Sequence, residues 1–220
     1  MTMTVAEITG RVNTLLVDTL WLRWPKGELC DYYNDAVRAI ILARPDAGAT
    51  QETVACRPGA QQVLPPGALR LLDVIRQSDG PALLPVSRET LDSHYPDWHS
   101  MTGEPERYVY SELTPQWFWL FPAPAQAINI DAVLSRIPAA VDTAQADDST
   151  PVAVDEVYVN PLVDWMLYRA LSKDTADVSA MARAMQHYRS FGDQMGIKQD
   201  VDSFLSRMKQ AQSDGQGGVQ

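Results

Sequence analysis

The hydrophobic period changes twice along this chain, and those changes constrain its fold more than any single motif does. Near the N-terminus, Val5, Ile8, Val12, Leu15 and Leu16 recur at helical spacing. Leu29, Tyr32, Tyr33, Ala36, Val37, Ile40 and Ile41 repeat the pattern, so each segment carries an apolar stripe that needs a partner. Pro25 suits the first turn of the second helix, and RPDAG at 44–48 ends it. From about residue 50 to 138 the period becomes two. The runs QETVAC, GALRLLDVIRQ, ERYVYSEL, QWFWLF and INIDAVL are rich in β-branched and aromatic residues, and PG, SDG, TP and PAP turns separate them. ELTPQ reads as a hairpin turn with Pro115 presetting φ. One short helix is expected at SRETLDSHY, with Ser87 or Arg88 near its cap and Glu89 in its first turn.

The helical period then returns. Leu162, Val163, Met166, Leu167, Ala170 and Leu171 form one stripe, and Val178, Met181, Met185 and Tyr188 another. Val201, Phe204, Leu205 and Met208 form a third, and Asp174 and Asp177 favour the start of the second helix of this group. The expected fold is α+β: a discontinuous helical bundle built from both chain ends, with an inserted antiparallel β-rich module. Its bounds are 1–48 with 155–212 for the bundle, 49–138 for the insertion, 139–154 for a polar linker and 213–220 for a disordered tail. Two consecutive domains are the alternative, but the N-terminal helix pair alone buries too little surface to be stable.

Composition excludes several functions. The 220 residues carry 18 Lys and Arg against 28 Asp and Glu, a net charge of −10. A surface built to grip phosphate backbones needs clustered cations instead. No apolar run approaches the length of a bilayer span, and the N-terminus is interrupted by Glu7, Arg11, Asn13 and Asp18, unlike a signal peptide. Cys30 and Cys56 match neither a CxxC nor a zinc spacing and read as buried, reduced thiols of a soluble protein.

The one stretch rich in ligand-type residues is LDSHYPDWHSM at 91–101. His94, Asp97 and His99 could in principle serve a metal-dependent hydrolase. Pro96 breaks the helical ladder that would set both histidines on one face, and the third histidine, His187, lies on a distant helix. The better reading is a fold corner: Pro96 ends a short helix, and Tyr95 and Trp98 pack the corner. There is no GxSxG, P-loop or GxGxxG, and the Asp147–Asp148 pair lies in the linker. No enzyme and no cofactor is expected. WFWLF at 117–121 reads first as a strand buried on both faces and second as a strand with one face given to another subunit. Trp21 and Trp24 pose the same choice.

Several stretches, taken in order, resemble a family of bacteriophage head-to-tail adaptor proteins of short-tailed phages. They are RWPKGELCDYYNDAVRAIILARPDA at 23–47, LPPGALRLLDVIR at 64–76 and SRETLDSHYPDWH at 87–99. WFWLFPAP at 117–124 and DWMLYRALSKDTADVSAMARAMQHYRSF at 164–191 complete the set, with YRALSKD the most distinctive. One departure is Gln77 after DVIR, where Asn is expected. The resemblance implies a structural virion protein at the head–tail junction, made in the host cytoplasm. It implies a ring, commonly twelvefold, between the portal and the tail nozzle, with double-stranded DNA passing through without specific binding and with no membrane partner. Subunit or partner contacts would then fall on Trp21, Trp24, Trp98, Trp117, Trp119, Tyr168, Arg169 and Lys173. An acidic lumen would let DNA slide, whereas a basic one would hold it by counterion release. Removing 211–220 is expected to spare folding and to weaken portal attachment. The rival reading within phage biology is an assembly or packaging factor absent from the mature particle.

Overall fold

The computed structural model describes residues 3–142, 149–173 and 178–196. The third helical stripe, the tail, and Asp147, Asp148, Asp174 and Asp177 lie outside the described residues. The fold is α+β, and the chain divides into two compact units, Met1–Ala43 with Ala140–Gln220, and Arg44–Ala139.

The helical unit holds α1 (Val5–Leu16), α2 (Lys26–Ala43), α4 (Val159–Ser172) and α5 (Val178–Met195). Thr4 caps α1 in a reciprocal box: its hydroxyl accepts from Glu7 N–H at 3.2 Å, and Glu7 accepts from Thr4 N–H at 2.8 Å. The stripes of α2 and α4 face inward as their spacing predicts, with Leu29, Ile40, Leu162, Met166 and Ala170 buried. α4 lies among α1, α2 and α5. Asn34 fastens residue 141 to α2 with a pair of 2.9 Å bonds to the Val141 backbone, and Tyr33 accepts from Ala153 N–H at 2.9 Å.

Two stripes differ from expectation. On α1, Leu15 is exposed, and Thr9 and Asn13 are buried instead. On α5 the buried side is Ala180, Ala184, Phe191 and Met195, whereas Val178, Met185 and Tyr188 are exposed. The reason is steric. Small alanines let α5 approach α4 closely, and the bulkier residues lie about a quarter-turn around the helix.

The other unit contains β1 (Ala49–Cys56), β2 (Gln61–Val63), β3 (Ala68–Gln77) and β4 (Leu84–Pro85). It continues with α3 (Arg88–His94), β5 (Arg107–Tyr110), β6 (Trp117–Phe121) and β7 (Ile128–Arg136). One sheet runs β1-β7-β3 and the other β2-β6-β5-β4. Pairing is antiparallel, as expected, apart from the two-residue parallel β4–β5 pair. The inner faces of both sheets share a core that includes Val54, Leu71, Phe118, Leu120, Ile130 and Leu134. Side chains alternate along β6, so Phe121 points to a second cluster with Leu91, Trp98, Val109 and Ala123. WFWLF is therefore a strand between two neighbours with both faces in a core, as its first reading held, although Trp117 at its start stays half exposed.

The turns follow the sequence signals. Ser87 caps α3 by accepting from Thr90 N–H at 3.1 Å. Gly67 takes a φ of +83° after two prolines, a conformation that favours glycine. Gln77, the departure from the adaptor pattern, donates to the Pro105 carbonyl at 2.9 Å and joins two loops across its turn.

Candidate interaction surface

α1 ends at Val17, which takes the left-handed conformation (φ 58°) and donates to the Thr14 carbonyl at 3.1 Å. The next residue, Asp18, organises the whole connection to α2. Its carboxylate accepts the backbone N–H groups of Leu22 (3.1 Å), Arg23 (2.9 Å) and Trp24 (2.8 Å). Trp24 N–H, with the other two amides and Arg23, holds that carboxyl below the usual aspartate range against a smaller opposing effect of desolvation. The nine-residue connection is thus tied back on itself, yet three of its aliphatic side chains point outward. Val17 is 84% exposed, Leu20 75% and Leu22 78%. Apolar side chains so exposed on a stiff loop form a surface suited to another protein.

The residues expected at contacts fall into different places. Trp24 is buried, its indole N–H donating to the Ala170 carbonyl at 3.1 Å, with the Arg23 guanidinium 4.9 Å from its ring. Trp98 is buried too. Its indole N–H donates to Asp92 at 2.8 Å, His99 stacks on it at 3.7 Å and Phe121 meets it edge-on. Both tryptophans are packed within their own units, Trp98 in the corner it was expected to fill: a buried indole needs a partner for its N–H, and each has one. Trp21 remains on the loop, at φ 56°, with Lys26 Nζ 5.2 Å from its ring centre. Trp117 stands opposite exposed Val63 on the neighbouring strand, and Trp119 is half-buried against the α3 cluster.

Arg169 and Lys173 face α2, whereas Tyr168 faces aromatic residues of α4 and α5. Arg169 pairs with Asp35 at 3.2 Å and lies over the Tyr32 ring. Lys173 pairs with Glu28 at 2.8 Å, and Glu28 also accepts from the Tyr32 hydroxyl at 2.6 Å. Burial pushes the Glu28 carboxyl up, but Lys173 and Tyr32 outweigh it and hold the group low. Burial and Glu28 raise the Tyr32 phenol. Tyr168 joins Trp165 and Tyr188 in an aromatic patch, its ring 5.5 Å and 5.0 Å from theirs. Asp164 anchors α5 from below by accepting from Ser190 at 2.7 Å and Gln194 at 2.6 Å, with His187 Nδ1 at 2.8 Å.

The histidine stretch has no shared focus. His94 Nδ1 meets the Thr90 carbonyl at 2.9 Å, whereas His99 lies on Trp98. Among the described residues no group of three or more His, Cys, Asp or Glu is arranged to hold a metal. No described helix is long and apolar enough to cross a membrane. What the described surface offers is a stiff apolar loop, an aromatic patch and paired charges.

A family pattern for SU10 adaptor proteins matches residues 3–212, nearly the whole chain. The chain belongs to the SU10 adaptor family. It is a phage adaptor protein, and the resemblance seen in its sequence holds. No curated protein matches it. For this adaptor, sequence reasoning singled out Trp21 and Trp24 but passed over Val17, Leu20 and Leu22, the most exposed aliphatics of the same loop. The available signal was LVDTLWLRW itself, an apolar run of neither helical nor strand period ending at a proline.

Proposed function

We propose that this adaptor assembles as a closed ring, commonly of twelve copies, between the portal and the tail nozzle, with double-stranded DNA passing through the lumen. The observation that carries the reading beyond family membership is the Asp18-tied loop. It holds Val17, Leu20 and Leu22 in water in a fixed arrangement, as a protein does when another chain covers them. A ring needs two different complementary patches on every copy. The loop with Trp21 is one candidate, and Trp117, Trp119, Tyr168, Arg169 and Lys173 are candidates for the remaining contacts.

In this reading the adaptor is structural and not catalytic, and works at the head–tail junction during genome ejection. Its two units act as a discontinuous helical domain and an inserted β-rich domain, with boundaries at 43/44 and 139/140. The net charge of −10 favours a lumen that repels phosphates and lets DNA slide. A strongly basic inner surface in the assembled ring would overturn that part. Mass spectrometry of purified virions tests the assignment as a whole. The expected result is the adaptor in a fixed ratio to the portal protein; its absence from mature particles would make it an assembly factor.

A further inference from the structure

We propose that copies of this adaptor join by a peg and a groove at opposite ends of the helical unit, Val157 and Glu156 of one copy seating against Arg183 of the next. The inference rests on the ring reading and names the surfaces that would make its self-contact. The groove encloses about 480 Å³, with Leu15, Leu167 and Leu171 among its apolar walls and Arg23 and Arg183 among its polar ones. The acid in its lining is Asp18, whose oxygens already accept three backbone N–H groups. Lys173 lies at this end too, donating to the Arg23 carbonyl at 3.3 Å and paired with Glu28. In a chain of net charge −10, the lining of this apolar hollow carries two guanidinium groups against one carboxylate.

The peg has the opposite character. The 3-10 turn Glu156–Tyr158 precedes α4, and Asp155 fixes it by accepting from Val157 N–H at 2.9 Å. Val157 is 74% exposed, preceded by two exposed acids, Asp155 and Glu156, and followed by the chain's entry to α4. Neither Glu156 nor Arg183 has an ion-pair partner among the described residues. An aliphatic tip with carboxylates beside it complements an aliphatic hollow with guanidinium groups at its wall, in shape class and in charge.

A chain cannot make this contact with itself. The groove takes its α4 walls from the last two turns of that helix, whereas Val157 lies before its first residue. At 1.5 Å per residue the twelve steps from 159 to 171 place the two about 18 Å apart along the axis. With a second copy as the occupant, the contact is heterologous, the type that rings require.

Sedimentation velocity of Glu156→Arg, Arg183→Glu and the double variant tests this against wild type. Each single reversal should weaken self-association about tenfold or more, and the double variant should recover to within about threefold, because the pair is restored with its sign inverted. Arg183→Gln serves as a milder form if Arg183→Glu unfolds, and circular dichroism checks each monomer. A benzophenone side chain at position 157 should cross-link between copies to the α5 peptide around Arg183. Wild type that assembles while the reversals leave it unchanged, or cross-links that map elsewhere, would overturn the peg and groove and leave the ring intact. Wild type that stays monomeric at about 1 mM, alone and with its portal, would overturn the ring reading itself.

Discussion

Replacing Trp24 by alanine separates a core tryptophan from an interface tryptophan. The side chain is 6% exposed and its indole N–H donates to the Ala170 carbonyl. A buried tryptophan covers roughly 150–250 Å², which at about 25 cal/mol per Å² gives an upper value of about 4–6 kcal/mol. Truncations of buried aromatic residues cost about 3–5 kcal/mol, so we expect about 4 kcal/mol, with the lost hydrogen bond included. Urea unfolding followed by far-UV circular dichroism reads this as a lower midpoint with an unchanged slope. In a thermal melt the helical transition should fall by about 8–16 °C. Trp21→Ala, on the exposed loop only three residues away, should move monomer stability by less than about 1 kcal/mol. If Trp24→Ala costs less than about 1 kcal/mol, the tryptophan does not anchor the helical unit and the reasoning that removed it from the interface is wrong.

Three further outcomes follow from the same geometry. Arg136 donates to both oxygens of Glu52, and this pairing, against a smaller effect of burial, holds the Glu52 carboxyl below its ordinary value of 4.5. A depressed carboxylate stabilises the fold fully above pH 4.5 and loses that contribution as pH falls through the folded value, so the stability gap between wild type and Glu52→Gln should close in acid. Burial pushes the Cys56 thiol up to about 12 and also raises Cys30, so both should resist a thiol reagent at neutral pH until denaturant is added; rapid labelling of the native protein would contradict this. Leu20→Asp with Leu22→Asp should leave the monomer melt nearly unchanged and abolish co-sedimentation with assembled complexes, whereas retained assembly would show that the loop is not a contact.

The sequence made the α+β class legible because period, propensity and turns agreed. The five longer strands lie where β-branched and aromatic runs stand between Gly and Pro turns, and α3 begins at its serine cap. β2 and β4, three and two residues long, were missed because no period can be read from so few residues. The stripe on α5 was misread for a different reason. The largest apolar residues were taken as core, but Ala180 and Ala184 set a close helix contact and leave Met185 and Tyr188 outside. Burial of a tryptophan depends on tertiary partners, so sequence could not separate Trp24 from Trp21. The loop was illegible as a site because its order comes from Asp18, a residue that looks like any exposed acid until its three backbone donors are seen. LDSHYPDWHSM became legible in part: Pro96 marked the end of α3, and Trp98 proved to be the buried anchor of the corner, but Tyr95 stays half exposed with its ring 5.3 Å from Phe121.

The ring at the head–tail junction is tested most directly by electron microscopy of the purified adaptor mixed with its portal. The account predicts a continuous additional ring on the portal's tail-facing end, coaxial with the channel and with one adaptor copy per portal subunit. An unoccupied portal, or adaptor bound as scattered single copies with no contact between neighbours, would contradict it.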